Sequence, residues 1–109
     1  MNIAAAYHSS SPARVDFAGT VASRPHFFYG RYTHAEHEAF DVNSPAGPVE
    51  VVDNVKIAPP VGVRRGDRVE VCGEMVHDPG RLPVVHWTHH DPSGRHAAGF
   101  IRWNGRLYA

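Results

Sequence analysis

Four of the nine histidines of this 109-residue chain fall within thirteen positions, in Val84-Val85-His86-Trp87-Thr88-His89-His90-Asp91-Pro92-Ser93-Gly94-Arg95-His96. Imidazole can coordinate a metal or move a proton near neutral pH, so a cluster of it is the first candidate for chemistry. Extended backbone would put His86, Thr88 and His90 on one face, with Trp87 and His89 on the other. His86 and His90 would then stand about 13 Å apart, too far to share an ion. A bend at Asp91-Pro92 would let His89, His90, Asp91 and His96 converge on a divalent metal such as zinc. Such a site would suit a metal-dependent hydrolase. The spacing is not His-Glu-x-x-His, however, and a single cysteine allows no paired-cysteine zinc site.

Two other readings compete. In the first the segment is scaffold. Asp91 caps a turn through its side chain, Pro92 fixes the next φ, Gly94 takes a positive φ, His86 and His96 bond to backbone carbonyls, and Trp87 is core. In the second it is a binding surface for single-stranded nucleic acid or another anionic ligand, which needs a basic groove and aromatic platforms. Arg95, Arg102 and Arg106 would supply the charge. Trp103, Tyr108, Phe27, Phe28 and Tyr29 would supply the platforms. On this reading His86, Trp87, His89, His90, Asp91, Arg95, His96 and Arg102 form the ligand surface. A serine triad lacks the strand-turn-helix setting of a nucleophile. Cys72 sits mid-strand among charged neighbours and reads as an inert thiol.

The elements that must position these residues are short. Val15, Phe17, Gly19 and Val21 alternate with Asp16, Ala18 and Thr20, the period of a half-buried strand, with Gly19 a candidate bend. His26 to Tyr32 is dense in aromatics and fits a short strand or a loop over a cavity. Thr33 to Glu38 is polar and expected exposed. Ala39 to Val42 and Val49 to Val52 make a hairpin with a longish loop at residues 43–48. Val69, Val71, Gly73 and Met75 share one face of the cleanest strand, with Arg68, Glu70, Cys72 and Glu74 on the other. Val84 to His89 is the next strand. Asn104-Gly105 is a two-residue turn closing a last hairpin. Residues 1–13 are expected to be a flexible arm, and 14–109 one domain.

About seven short strands at this spacing predict an all-β fold, and so short a chain protects its edges best by closing. A small five-stranded barrel of the oligonucleotide/oligosaccharide-binding (OB) type, with extra short strands or a hairpin, fits the length. Basic and acidic residues balance at 11 each, so the chain as a whole offers no field for nucleic acid or a membrane. The balance is uneven, however. Arg81, Arg95, Arg102 and Arg106 oppose only Asp91 in residues 81–109, a net of +3 that leaves −3 in residues 1–80. No apolar run approaches the roughly 20 residues of a membrane span, and the first residues lack the basic start of a signal peptide. The chain therefore reads as soluble and cytoplasmic.

The His86-Trp87-Thr88-His89-His90-Asp91-Pro92 string, followed by Gly94-Arg95-His96, Gly99, Asn104-Gly105 and Tyr108, resembles a bacterial family described as domain of unknown function 3465. Ile57-Ala58-Pro59, Gly66-Asp67-Arg68-Val69, Gly73-Glu74 and Gly19-Thr20-Val21 fit the same layout. The resemblance implies a small OB-like barrel over residues 15–109 and no established activity. Two strings depart from it. His37-Glu38-Ala39-Phe40 lacks the family's basic residue, and Val52-Asp53-Asn54 stands where members carry Ala-His-Asn. The reading favoured over all is a binding module rather than an enzyme.

Overall fold

The computed structural model describes residues 2–109. It contains one short helix, α1 (Ile3–Tyr7), and eight strands: β1 (Ala13–Val21), β2 (His26–Gly30), β3 (Ala35–Ser44), β4 (Gly47–Asn54), β5 (Arg68–Val76), β6 (Val84–His86), β7 (Phe100–Trp103) and β8 (Arg106–Tyr108). Five of these close a ring of hydrogen bonds in the order β1-β3-β4-β6-β5 and back to β1. Every pairing in the ring is antiparallel except β4 with β6, which is parallel through Glu50↔Val84 and Val51↔Val85. This is the expected all-β, OB-like architecture. The extra strands are β2, which adds to β3, and the β7–β8 hairpin, which adds to β5.

The alternation in β1 and β5 behaves as the sequence predicts. Val15, Phe17, Val69, Val71 and Met75 enter the core with Phe40, Val51, Val85 and Ile101. Gly19 marks the place where β1 leaves β5 for β3: it pairs with Val69, and Thr20 next to it pairs with both Arg68 and Asn43. A β-carbon at Gly19 would lie 2.6 Å from the Asn43 carbonyl oxygen, so only glycine lets the two strands meet there. The last hairpin turns at Asn104 and Gly105 with φ of 53° and 77°, both positive as the turn requires.

Four expectations change. The loop at 43–48 is a two-residue turn at Pro45-Ala46, because the Ser44 hydroxyl donates to the Gly47 carbonyl and accepts the Ala46 and Gly47 N–H groups. The stretch Thr33 to Glu38 is only half exposed: Thr33, His34 and Glu36 are, whereas Ala35, His37 and Glu38 are buried in β3. Within the segment read as an arm, α1 is capped by the Asn2 side chain and puts Ile3 and Ala6 into the core, while the Tyr7 hydroxyl donates to the Pro48 carbonyl. Finally, β6 stops at His86 rather than running to His89. Trp87 takes a φ of 55°, which extended backbone excludes.

Beyond that kink, the chain lies directly on β5 and on the residue before β7. A β-carbon at Gly73 would overlap the His86 carbonyl oxygen. One at Gly99 would overlap the carbonyl oxygens of Trp87 and Cys72. The Gly99 N–H donates to the His89 carbonyl at 2.9 Å, closing the loop that carries the histidines. All three obstructing groups are backbone and cannot swing aside. Gly99→Ala is therefore expected to lower unfolding free energy by roughly 1–3 kcal/mol. Gly80→Ala, in open space but at a positive φ, should cost about 1–2 kcal/mol from that φ alone. Urea unfolding of Gly99→Ala checks the close approach, and a stability unchanged from wild type would contradict it.

Candidate binding groove

The histidine segment forms one wall of a groove of about 320 Å³, lined by His86, Trp87, His89, Asp91, Ser93, Arg95 and His96. The opposite wall comes from the open end of the β3–β4 hairpin and its neighbours: Thr33, His37, Val52, Asn54 and Ile57. His37 and Asn54 are cross-strand partners, so a register fixed by the hairpin sets that wall. Gly30 leaves space for the His37 ring, which stacks on Phe28 at 5.3 Å between centroids and 14° between planes.

The kink at Trp87 turns the indole into a stack. It lies parallel to His86 (4.6 Å, 14°) and to His96 (4.3 Å, 6°), and His96 meets His89 edge-on. The His89 Nδ1 is 2.6 Å from the His90 carbonyl oxygen and the His96 Nδ1 is 2.8 Å from that of Ala97, so each ring is held by the carbonyl of the next residue. Burial holds the His86 imidazolium below the usual histidine range, an effect only partly offset by Glu74 at 3.6 Å. Burial does the same to His89. Both are thus uncharged at neutral pH.

Asp91 is the organiser of the loop. Its Oδ1 accepts from the Ser93 hydroxyl (2.7 Å) and the Ser93 N–H (2.8 Å). Its Oδ2 accepts from the N–H groups of Arg95 and His96. The Ser93 hydroxyl first, and those backbone donors with it, hold the carboxyl far below the usual carboxylate range. Gly94 has the positive φ expected of it, at 70°.

Of the ligand residues expected from the sequence, the structure brings His86, Trp87, His89, Asp91, Arg95 and His96 to one groove. His90 is exposed outside the lining, and Arg102 lies on β7, where it pairs with Glu70 at 2.7 Å and covers Phe100. The proposed metal set does not converge. Asp91 spends both oxygens on the turn, His96 Nε2 is 3.8 Å from it, and His90 points elsewhere than the groove lining. Among the described residues no three His, Cys, Asp or Glu side chains are placed to hold an ion. Of the aromatic platforms expected, Tyr108 is buried and Trp103 packs on the core, whereas Phe27, Phe28 and Tyr29 are exposed. Cys72 is a buried free thiol beside Arg14, and burial pushes its pKa up.

Sequence reasoning missed a buried pair of acids beneath the groove. Glu38 and Asp53 face each other across β3 and β4, at 1% and 0% exposure. Glu38 accepts the Val61 N–H at 2.9 Å, and the Thr88 hydroxyl reaches the Val52 carbonyl at 3.2 Å and Asp53 Oδ1 at 3.3 Å. Asp53 Oδ2 has no partner. Burial, and then the Glu38 charge, raise the Asp53 pKa from 3.8 to about 7. Polar side chains in a strand pattern read as exposed, and only the apolar residues around them could have signalled otherwise.

A sequence model of the family described as "Protein of unknown function (DUF3465)" matches residues 3–109. The chain belongs to this family. No curated protein matches the DUF3465 chain. Among solved structures it is similar to the "Crystal structure of the ZRD-deleted mutant of TiaS in complex with agmatine", at 22% identity and a TM-score of 0.47. That likeness covers 66% of the DUF3465 chain and 19% of the other, so the chain spans about a fifth of that structure's length. None of the described helices is long and apolar enough to cross a membrane.

Two outcomes follow from this geometry. Asp91→Ala should speed amide exchange at Ser93, Arg95 and His96 and lower the melting temperature, read by hydrogen exchange and thermal unfolding. The folded state holds the Asp53 proton more tightly than the unfolded chain, whose value is 3.8. The resulting stabilisation is complete below about pH 4, declines as pH rises, and is gone above about pH 7. Asp53→Asn should remove that decline, which is on the order of a few kcal/mol at most. Urea unfolding across the range tests this, and a wild-type slope retained in the variant would assign the decline to another group.

Proposed function

We propose that this protein is a binding module for single-stranded nucleic acid, with the groove at His86–His96 receiving an unstacked base. The observation that carries the reading is the pair of π-bearing walls. Trp87 with His86 and His96 forms one, and His37 backed by Phe28 forms the other, around about 320 Å³. A planar, polar group of nucleobase size suits such a space. Arg95 on the lining supplies a fixed positive charge for an adjoining phosphate. Asp91, the acid on the lining, has its charge absorbed by a hydroxyl and backbone donors.

Because His86 and His89 are neutral at pH 7, stacking and hydrogen bonding carry the contact there and the electrostatic contribution is small. This distinguishes the groove from a long basic channel. Small anionic ligands of similar size share the chemistry and are separated from a strand by experiment.

Binding of a short single-stranded oligonucleotide, followed by tryptophan fluorescence, is the test. Trp87→Ala should weaken affinity by about 1–3 kcal/mol, the range for a lost stacking platform, because it removes the ring that holds His86 and His96 parallel in the wall. Arg95→Gln should reduce the dependence of log K on log salt by about 0.7, one phosphate contact. Affinity should rise in acid, below the usual histidine range, where the buried His86 and His89 gain charge. Unchanged affinity in folded Trp87→Ala sinks the reading. Equal affinity for a mononucleotide and the oligonucleotide would replace the strand with a small anionic ligand.

A further inference from the structure

A second cleft, of about 650 Å³, opens at the far end of β1 and is lined by Arg24, Pro25, Val63, Arg64 and Arg65. Three arginines line one concavity in a chain whose net charge is zero. Local structure forces them together. The Val21 N–H donates to the Asp67 carbonyl and the Gly66 N–H to the Val21 carbonyl, both at 2.8 Å, so the turn before β5 is tied to the end of β1. Ala22 donates to the Asp41 carbonyl and the Ser23 hydroxyl accepts the Asp41 N–H, pinning residues 22–23 to β3 and turning Arg24-Pro25 outward.

From the other side, Val61 and Val63 are buried in the core and anchor the segment, while Gly62 between them, at a φ of 78°, and Arg64 are exposed. The turn Arg64-Arg65-Gly66-Asp67 is closed by Asp67 Oδ2, which accepts the Arg64 N–H at 2.8 Å, and by a φ of 96° at Gly66. The arginines thus stand on braced backbone. Holding three like charges side by side is unfavourable unless something neutralises them. The ion pairs among the described residues are His86–Glu74, His96–Asp91 and Arg102–Glu70, and none involves this trio. The nearby carboxylates are Asp67, with one oxygen on a backbone donor, and Asp41.

We infer that this cleft is a phosphate-binding site, with Arg24, Arg64 and Arg65 as its ligands. Planar guanidinium forks match phosphate oxygens in pairs, and three around one concavity suit consecutive phosphates better than a single carboxylate. Phosphates of a nucleic-acid strand and free polyphosphate share this chemistry. The strand is favoured by what lies next to the cleft, a step that rests on the function proposed above. β2 begins one residue after Pro25 and exposes Phe27 (51%), Phe28 and Tyr29 (67%) along an edge paired only to β3. It runs for roughly 16 Å toward the Thr33 and His37 wall of the histidine groove. Phosphates held at the arginines, a base laid on Phe28, which shares a face with His37, and one base in the groove make a single track.

The test titrates two probes, sodium tripolyphosphate and a twelve-residue oligothymidylate, into wild type and three variants. These are the triple Arg24→Gln/Arg64→Gln/Arg65→Gln, Arg106→Gln as an exposed control, and Trp87→Ala. Melting curves accompany each, and the single arginine variants stand in if the triple does not fold. The inference expects tripolyphosphate affinity to fall at least tenfold in the triple variant, or by a measurable part of that in each single one, with Arg106→Gln unchanged. Oligothymidylate affinity should fall as well, with a salt slope shallower by about 2, three contacts' worth on a single strand. Loss of tripolyphosphate binding alone keeps the phosphate site and makes its source free polyphosphate. Tripolyphosphate affinity that is absent in wild type, or unchanged in the arginine variants, overturns the site. Trp87→Ala reports separately on the groove: oligothymidylate binding that ignores Trp87 but needs the arginines removes the proposed groove function and leaves this site standing.

Discussion

The placement of the histidine segment depends on two backbones approaching without side chains between them. Gly73 on β5 and Gly99 before β7 let the carbonyls of His86 and Trp87 lie where a β-carbon would otherwise stand. That approach is compatible with only a short parallel seam between β4 and β6, two residue pairs in register. The ring is therefore closed there by a seam no longer than that between β1 and β3, and the chain leaves the ring at once through the positive φ of Trp87. Because Trp87 turns there, its indole meets His86 and His96 instead of entering the core. The groove is a consequence of how the ring closes.

Beneath it, the ring is sealed by polar groups. Thr88 reaches Asp53, which faces Glu38, which takes the Val61 N–H from the segment leading to the arginine turn. Burial, and then the charge of Glu38 facing it, favour the neutral form of Asp53. Such an arrangement is a weak source of stability and a strong source of position, since each partner left alone would be an unsatisfied buried group. The polar end of the ring thereby fixes the height of Thr88 and, with it, of His89. The position at which the family's resemblance suggests histidine is here Asp53, which contributes to the groove through Thr88 and from below.

The sequence made the ring legible where side chains alternate. β1 and β5 show their inner faces as Val15, Phe17, Val69, Val71 and Met75, and Asn104-Gly105 announces the last hairpin. Asp91 as the turn's cap and Gly94 at positive φ were also legible, because turn chemistry is local. What was hidden depended on contacts between distant segments. The end of β6 at His86 is set by Gly73 and Gly99, not by Trp87's own preferences. The burial of His37, Glu38 and Asp53 is invisible in polar residue types, since the pattern assumes polar means outside. The arginine cleft was hidden by averaging: Arg24, Arg64 and Arg65 sit in the acidic part of the chain, and forty residues separate the first from the others.

That averaging bears on how charge and recognition are divided in the fold. A zero net charge argues against non-specific attraction over the whole surface, but not against a local field, because screening confines each charge to about 8–10 Å. The two concavities carry different electrostatics. At the groove, burial keeps the His86 and His89 imidazoles neutral, so a ligand there would meet them through shape and stacking rather than charge. The cleft at Arg24 is permanently cationic and open, with Pro25 and Val63 as its apolar lining. A ligand with phosphates at one end and a planar group at the other would satisfy both, and β2 supplies exposed aromatic surface between them.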